Sequence, residues 1–201
     1  MLELKVLQAV RLKGMVGRDD LAATVDDADD AVAATVAALT RSGLLVAGTT
    51  VKLSPDGRVR LAELLAAEGS GIDADAVLAD YDAFRAVNAD FKALVTDWQL
   101  KDGEPNTHED ADYDAAVLAR LDGIHARVVP IIQGVAEHLP RLASYAAKLD
   151  AAHRKILRGE RIWLTRPIID SYHTVWFELH EELIVACGLT RQGEAEAGHA
   201  E

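Results

Sequence analysis

Between Asp73 and Leu100, seven apolar residues (Val77, Tyr81, Phe84, Val87, Phe91, Leu94 and Trp98) recur at three- and four-residue steps. A period near 3.6 puts all of them on one side of a helix, which must then be buried against other helices or a sheet. Asp73 is the expected N-cap. A second stripe of Tyr113, Val117, Leu121, Ile124 and Val128 predicts a helix from about Asp110 to His138, bent or split at Pro130 and Gly134. Pro140 opens a third helix ending near Arg158, and Thr165 with Pro167 opens a fourth ending at Ala186-Cys187-Gly188. Four comparable helices with short connections predict an antiparallel bundle over residues 73–188. Lys101 to Glu109, with Gly103 and Pro105, reads as a loop. The small, charged segment 189–201 reads as a frayed tail.

The first 68 residues follow a different pattern. A helix over Leu2–Lys13 stops at Gly14, a short one covers Asp19–Thr24, and a third runs from about Asp29 to Arg41 with Val32, Val36 and Leu39 buried. Two extended runs, Leu44–Val46 and Val51–Leu53, flank the turn Ala47-Gly48-Thr49-Thr50 and form a hairpin. Ser54 then caps a fourth helix with Pro55 at its first position and Leu61, Leu64 and Leu65 facing inward. The break Glu68-Gly69-Ser70-Gly71 reads as a linker over 69–72. The fold class is therefore mainly α, with a small hairpin in an N-terminal domain and a bundle of about four helices after it.

Charge narrows the partners. The chain carries a formal net charge of −12, of which −2 falls in residues 1–68 and −10 in 69–201. That balance disfavours nonspecific attraction to nucleic acid or anionic lipid. A hydrophobic content of 50% supports a packed core. Cys187 is the single cysteine, so no intrachain disulfide forms and a cytoplasmic setting is expected. No secretion signal opens the chain, and no apolar run is long enough to span a membrane. Phosphate-binding glycine loops, nucleophile elbows and zinc cysteine pairs are missing, so no enzymatic reaction is expected.

Helix, helix, helix, hairpin, helix is winged helix-turn-helix order. The stretch Gly43-Leu44-Leu45-Val46 through Val51-Lys52-Leu53-Ser54-Pro55-Asp56-Gly57-Arg58 resembles the wing of bacterial MarR-type regulators, over about a third of the chain. In that family the third helix enters the DNA major groove and the wing touches the backbone. The resemblance implies that Asp29, Asp30, Ala33, Ala34, Ala37, Thr40 and Arg41 form the contacting face, flanked by Arg18, Lys52 and Arg58. Base readout mostly uses Arg, Lys, Asn or Gln, and phosphate needs positive charge. The cluster Asp26-Asp27-x-Asp29-Asp30 would repel phosphate, and it suits a basic protein partner instead. The bundle is similar in outline to the helical ligand domains of GntR-type regulators, a likeness that transfers no residue roles.

In the bundle, Asp170, His173 and His180 fall on one side of the expected fourth helix. They form a candidate divalent-metal set, with His125 and His153 as further donors. Arg158, Arg161 and Arg166, with Tyr172 and Trp176, form a candidate site for an anionic ligand. The expected function is a cytoplasmic, homodimeric winged-helix regulator with a sensing or dimerising bundle. The alternatives are an acidic protein-interaction module that does not bind DNA, and a metal- or anion-binding bundle.

Overall fold

A computed structural model describes residues 1–199, and for Arg18 and Asp19 the backbone only. The chain divides into two compact units, Met1–Ile72 and Asp73–Glu201. No helix among the described residues is long and apolar enough to cross a membrane.

The N-terminal unit runs α1 (Leu2–Lys13), β1 (Val16–Gly17), α2 (Arg18–Val25), α3 (Asp29–Arg41), β2 (Leu45–Ala47), β3 (Thr50–Leu53) and α4 (Pro55–Gly69). The strands form one antiparallel sheet in the order β1-β3-β2, with Val16 opposite Val51 and Val46 opposite Lys52. The hydrophobic periodicities of the helices close on a core that includes Leu7, Val10, Leu21, Val32, Val36, Leu45, Val51 and Leu61. β1 has two residues, too short to carry a strand pattern, and it was not expected.

The junction from β3 into α4 depends on two small residues. Ser54 Oγ accepts the Gly57 amide at 2.9 Å, capping α4, and donates to the Leu44 carbonyl at 3.0 Å. A Cβ on Gly57 would lie 2.0 Å from that same carbonyl oxygen. This close approach is the physical content of the Leu-Ser-x-x-Gly pattern: only glycine lets the hairpin lie on the first turn of α4.

The second unit contains α5 (Ala74–Gln99), β4 (Leu100–Lys101), β5 (Glu104–Pro105), α6 (Ala111–His138), a 3-10 turn at Pro140–Ala143, α7 (Ser144–Leu157), α8 (Ile162–Thr165), α9 (Tyr172–Ala186) and α10 (Arg191–Glu196). All seven residues of the α5 stripe are buried. The expected loop at 101–109 contains the small β4–β5 hairpin.

Three expectations need correction. Helix α6 is continuous through Pro130. Pro130 and Ala126 are both exposed, so the carbonyl that Pro130 leaves without a helical donor belongs to a solvent-facing residue. Gly134 serves packing, since a Cβ there would sit 3.0 Å from both carboxylate oxygens of Asp80. The fourth long helix begins at Tyr172 with Ser171 as its cap, and residues 166–171 precede it as a loop. In that loop Ile168 is 98% exposed with a φ of 75°. The segment after Gly188 carries α10, capped by Thr190, with Glu194 buried.

Gly57→Ala should destabilise the protein by about 2 kcal/mol or more, because a backbone oxygen must move. Gly69→Ala, where the added Cβ meets nothing within 4 Å, should be neutral or stabilise by about 0.5 kcal/mol. Urea unfolding of both variants checks the pair.

Candidate functional site

The expected contact face of the N-terminal unit is present as a surface. Asp29, Asp30, Ala33, Ala34, Ala37 and Arg41 are exposed, while the Thr40 hydroxyl donates to the Val36 carbonyl at 2.7 Å. A shallow groove of ≈ 600 Å³ runs along α3, lined by Ala22, Val32, Ala33, Val36 and Ala37, with Asp29 and Arg41 among its other lining residues. Asp27 is paired with Lys5 at 3.3 Å, and hydrogen bonds from Ala28 and Lys5 hold its carboxyl below the usual range. Lys52 and Arg58 are exposed, and the Arg18 side chain lies outside the described residues.

The five anion-site candidates in the second unit do not converge. Arg161 donates to the carboxylate of Asp114 at 2.9 Å, and Asp114 is fully buried. Asn106 and His108 contact the same carboxylate at 3.0 and 3.1 Å, and the His108 ring lies 4.4 Å from that of Trp98. Burial works against the charge of Asp114. The hydrogen bonds from Asn106 and His108, and the charges of His108 and Arg161, still hold its carboxyl below the ordinary range. A buried carboxylate must be paired, and that requirement takes Arg161 away from any ligand. Arg158 pairs with Glu160 at 3.1 Å. Arg166 is exposed in the loop before α9. Tyr172 is fully buried and Trp176 nearly so.

The expected metal set is not assembled. Asp170 lies outside α9, so helical spacing does not align it with His173 and His180. Among the described residues no group of three or more His, Cys, Asp or Glu is arranged to hold a metal ion. His125 and His153 do meet, with ring centroids 4.3 Å apart. His153 Nε2 lies 2.7 Å from Asp122, and His125 Nδ1 lies 3.2 Å from the Tyr172 hydroxyl. Burial, reinforced by His153, depresses the His125 pKa. The repeated spacing Asp122-x-x-His125 and Asp150-x-x-His153 is the trace of this pairing in the sequence. Burial also pushes the Cys187 thiol up to about 11, which leaves it without thiolate reactivity near neutral pH.

His173, His180 and Trp176 do share a site: a small cavity of ≈ 120 Å³ lined by residues of α5, α9 and the C-terminal segment. Phe91, Trp176 and Phe177 are its aromatic residues, and Lys92, Arg191 and His199 contribute further basic groups. Arg191 pairs with Glu181 and packs over the Phe177 ring, 4.5 Å from its centroid. Trp176 is fixed by a hydrogen bond from Nε1 to Asn88 Oδ1 at 2.9 Å, and Asn88 Nδ2 donates to the His199 carbonyl at 2.9 Å.

One buried chain of polar groups holds the C-terminal segment against α5. Arg85 grips Glu194 through Nε at 3.1 Å and through its terminal nitrogen at 2.6 Å. Tyr81 donates its hydroxyl to Glu194 at 2.6 Å, and His180 Nε2 lies 3.1 Å from that hydroxyl. Tyr81 has one proton and gives it to the carboxylate, so His180 Nε2 carries a hydrogen and donates. Burial opposes the charge of Glu194, but hydrogen bonds from Arg85 and Tyr81 hold its carboxyl low. Burial, then the charges of Arg191 and Lys92, depress His180 from 6.5 to about 4, so its ring is neutral at pH 7. The terminal clasp was not legible because Glu194 sits in a stretch with no apolar periodicity.

Protons favour the unfolded chain between the two His180 values. The contribution is complete above pH about 6.5, and about 3 kcal/mol of it is lost as pH falls toward 4. Urea unfolding at pH 7 and pH 4.5 should therefore show a smaller acid loss in His180→Gln than in the parent. Equal losses would assign the effect to other groups. Glu194→Ala should destabilise the second unit by about 2–3 kcal/mol, because the buried Tyr81 hydroxyl loses its acceptor and Arg85 keeps only its ion pair with Asp82. It should also open residues 189–199 to proteolysis. Comparison with known proteins finds no matching family model, no matching curated protein and no matching solved structure.

Proposed function

We propose that this chain is a cytoplasmic, homodimeric regulator whose N-terminal unit is a winged helix, with the helical unit serving as its dimerisation and sensing part. The observation carrying the reading is the order α1-β1-α2-α3-β2-β3-α4, with β1 added to the edge of the β2–β3 hairpin beside β3. In winged helices that small sheet carries the wing and leaves the third helix open. Here the hairpin runs directly into the capped helix at Leu53-Ser54-Pro55-Asp56-Gly57-Arg58, the stretch that resembles MarR-type regulators.

Duplex DNA is the first target under this reading. Among the described residues of the expected contact face, Arg41 at the end of α3, Lys52 on β3 and Arg58 on α4 are exposed cations available for phosphate. So few contacts give weak binding from one copy, and a dimer spanning two half-sites supplies the rest. A fluorescent duplex from upstream of the protein's own gene should bind more tightly than a random duplex, and the affinity should fall steeply with salt. Lys52→Gln should weaken binding and flatten that salt dependence. No binding at low salt, or a strict monomer by light scattering at micromolar concentration, would overturn the reading.

The exposed carboxylates of Asp29 and Asp30 at the start of α3, beside its alanine-lined groove, favour a second reading, in which the same face docks a basic helix of a partner protein. Charge reversal at Asp29 and Asp30 should then abolish partner capture. A partner that remains bound to the double variant excludes this surface.

A further inference from the structure

Helices α6, α7 and α9 meet at a pair of stacked imidazoles. His125 on α6 and His153 on α7 have ring centroids 4.3 Å apart and ring planes 32° apart. Each lies across from a carboxylate of the other helix. His153 Nε2 is 2.7 Å from Asp122, and His125 Nε2 is 3.9 Å from Asp150. The hydroxyl of Tyr172, the first residue of α9, reaches His125 Nδ1 at 3.2 Å. Helix α5 meets this point through the Phe91 ring, 5.4 Å from that of Tyr172.

Counting donors and acceptors places the protons. A carboxylate only accepts, so His153 Nε2 carries a hydrogen. Tyr172 is fully buried, and burial pushes its hydroxyl far above the ordinary range, so it keeps its proton. Among the described residues, His125 is the only hydrogen-bonding partner of that hydroxyl. Tyr172 therefore donates, and His125 Nδ1 holds a lone pair. This fixes a neutral His125 ring with its hydrogen on Nε2.

A proton added to His125 lands on Nδ1, and three effects oppose it. The buried Tyr172 hydroxyl loses its acceptor. A charge enters a side chain that is 14% exposed. That charge also faces the His153 ring. Asp150 offsets little of this, because it lies beyond hydrogen-bonding distance, is partly exposed to water and is already paired with Arg154 at 2.8 Å. Asp122 is engaged by His153.

We propose that His125, His153 and Tyr172 form a proton-controlled lock joining α6, α7 and α9, closed while His125 is neutral and released when His125 takes up a proton. The lock does not depend on whether the N-terminal unit binds DNA. It bears on the cavity beside α9, since Tyr172 lies one turn before Trp176 and stacks on it with centroids 6.0 Å apart. The folded chain holds His125 below its ordinary value of 6.5, so the lock's contribution is complete above that pH and declines as the pH falls below it.

Titration of the histidine ring signals of the full chain by nuclear magnetic resonance, assigned with His125→Asn, reads the lock directly. Asparagine supplies an oxygen to accept from Tyr172 and does not titrate. His125 is expected to protonate below pH 6.5. In Tyr172→Phe, which keeps the ring and removes the hydroxyl, the His125 midpoint is expected to rise by about half a pH unit, roughly a threefold gain in proton affinity. Amide exchange, corrected for the intrinsic effect of pH, is expected to show the first two turns of α9 losing protection about threefold or more between pH 7.5 and pH 5. His180→Gln is expected to keep that loss, and His125→Asn to abolish it. A His125 midpoint at or above 6.5, a midpoint unmoved in Tyr172→Phe, no acid loss of protection in α9, or a loss that survives in His125→Asn would each overturn the proposal.

Discussion

The second unit depends on a carboxylate taken out of water. Glu194 is buried near the end of the described chain, and a buried charge is tolerable only where it is paired and hydrogen-bonded. Arg85 supplies two N–H donors and Tyr81 one O–H, all from a single face of α5. That requirement fixes where the C-terminal segment lies. It brings Arg191 and His199 to the cavity, sets the tautomer of His180 through Tyr81, and turns a stretch of small charged residues into a wall. A comparable demand is met elsewhere, where Arg141 pairs with Glu182 at 2.7 Å with both side chains buried. Asp114 gathers Asn106, His108 and Arg161 in the same manner.

These three carboxylates mark the limit of what periodicity conveys. The α5 stripe from Val77 to Trp98 was legible because each of its residues answers to the same force, burial of apolar surface at a 3.6-residue period. The Ser54 cap and the Gly57 contact were legible because turn and cap chemistry is local. Glu194, Glu182 and Asp114 were not, since each is paired with a cation brought from a distant part of the chain, and in sequence a buried acid resembles an exposed one. Arg161 failed as a ligand residue for the same reason: its partner, Asp114, lies 47 positions away.

The histidines show how much one misplaced boundary costs. Starting the fourth helix at Thr165 aligns Asp170 with His173 and His180. Starting it at Tyr172, where Ser171 caps it, leaves Asp170 in the preceding loop. The true spacing places two imidazoles at an aromatic cavity with no carboxylate among the described lining residues, where a metal set of Asp170 with His173 and His180 was expected. Direction of charge, rather than identity of residue, separates the two chemistries.

The exposed side of α3 has a consequence of another kind. Ala33, Ala34, Ala37 and Ala38 present methyl groups with no rotamers to freeze and no donors or acceptors to satisfy. Such a surface behaves as a mould: it offers shape at almost no entropic penalty and leaves discrimination to whatever fits into it. Selectivity at the middle of this helix is thus written in the visitor, while the chain itself speaks only at the two ends, through Asp29 and Asp30 at one and Arg41 at the other.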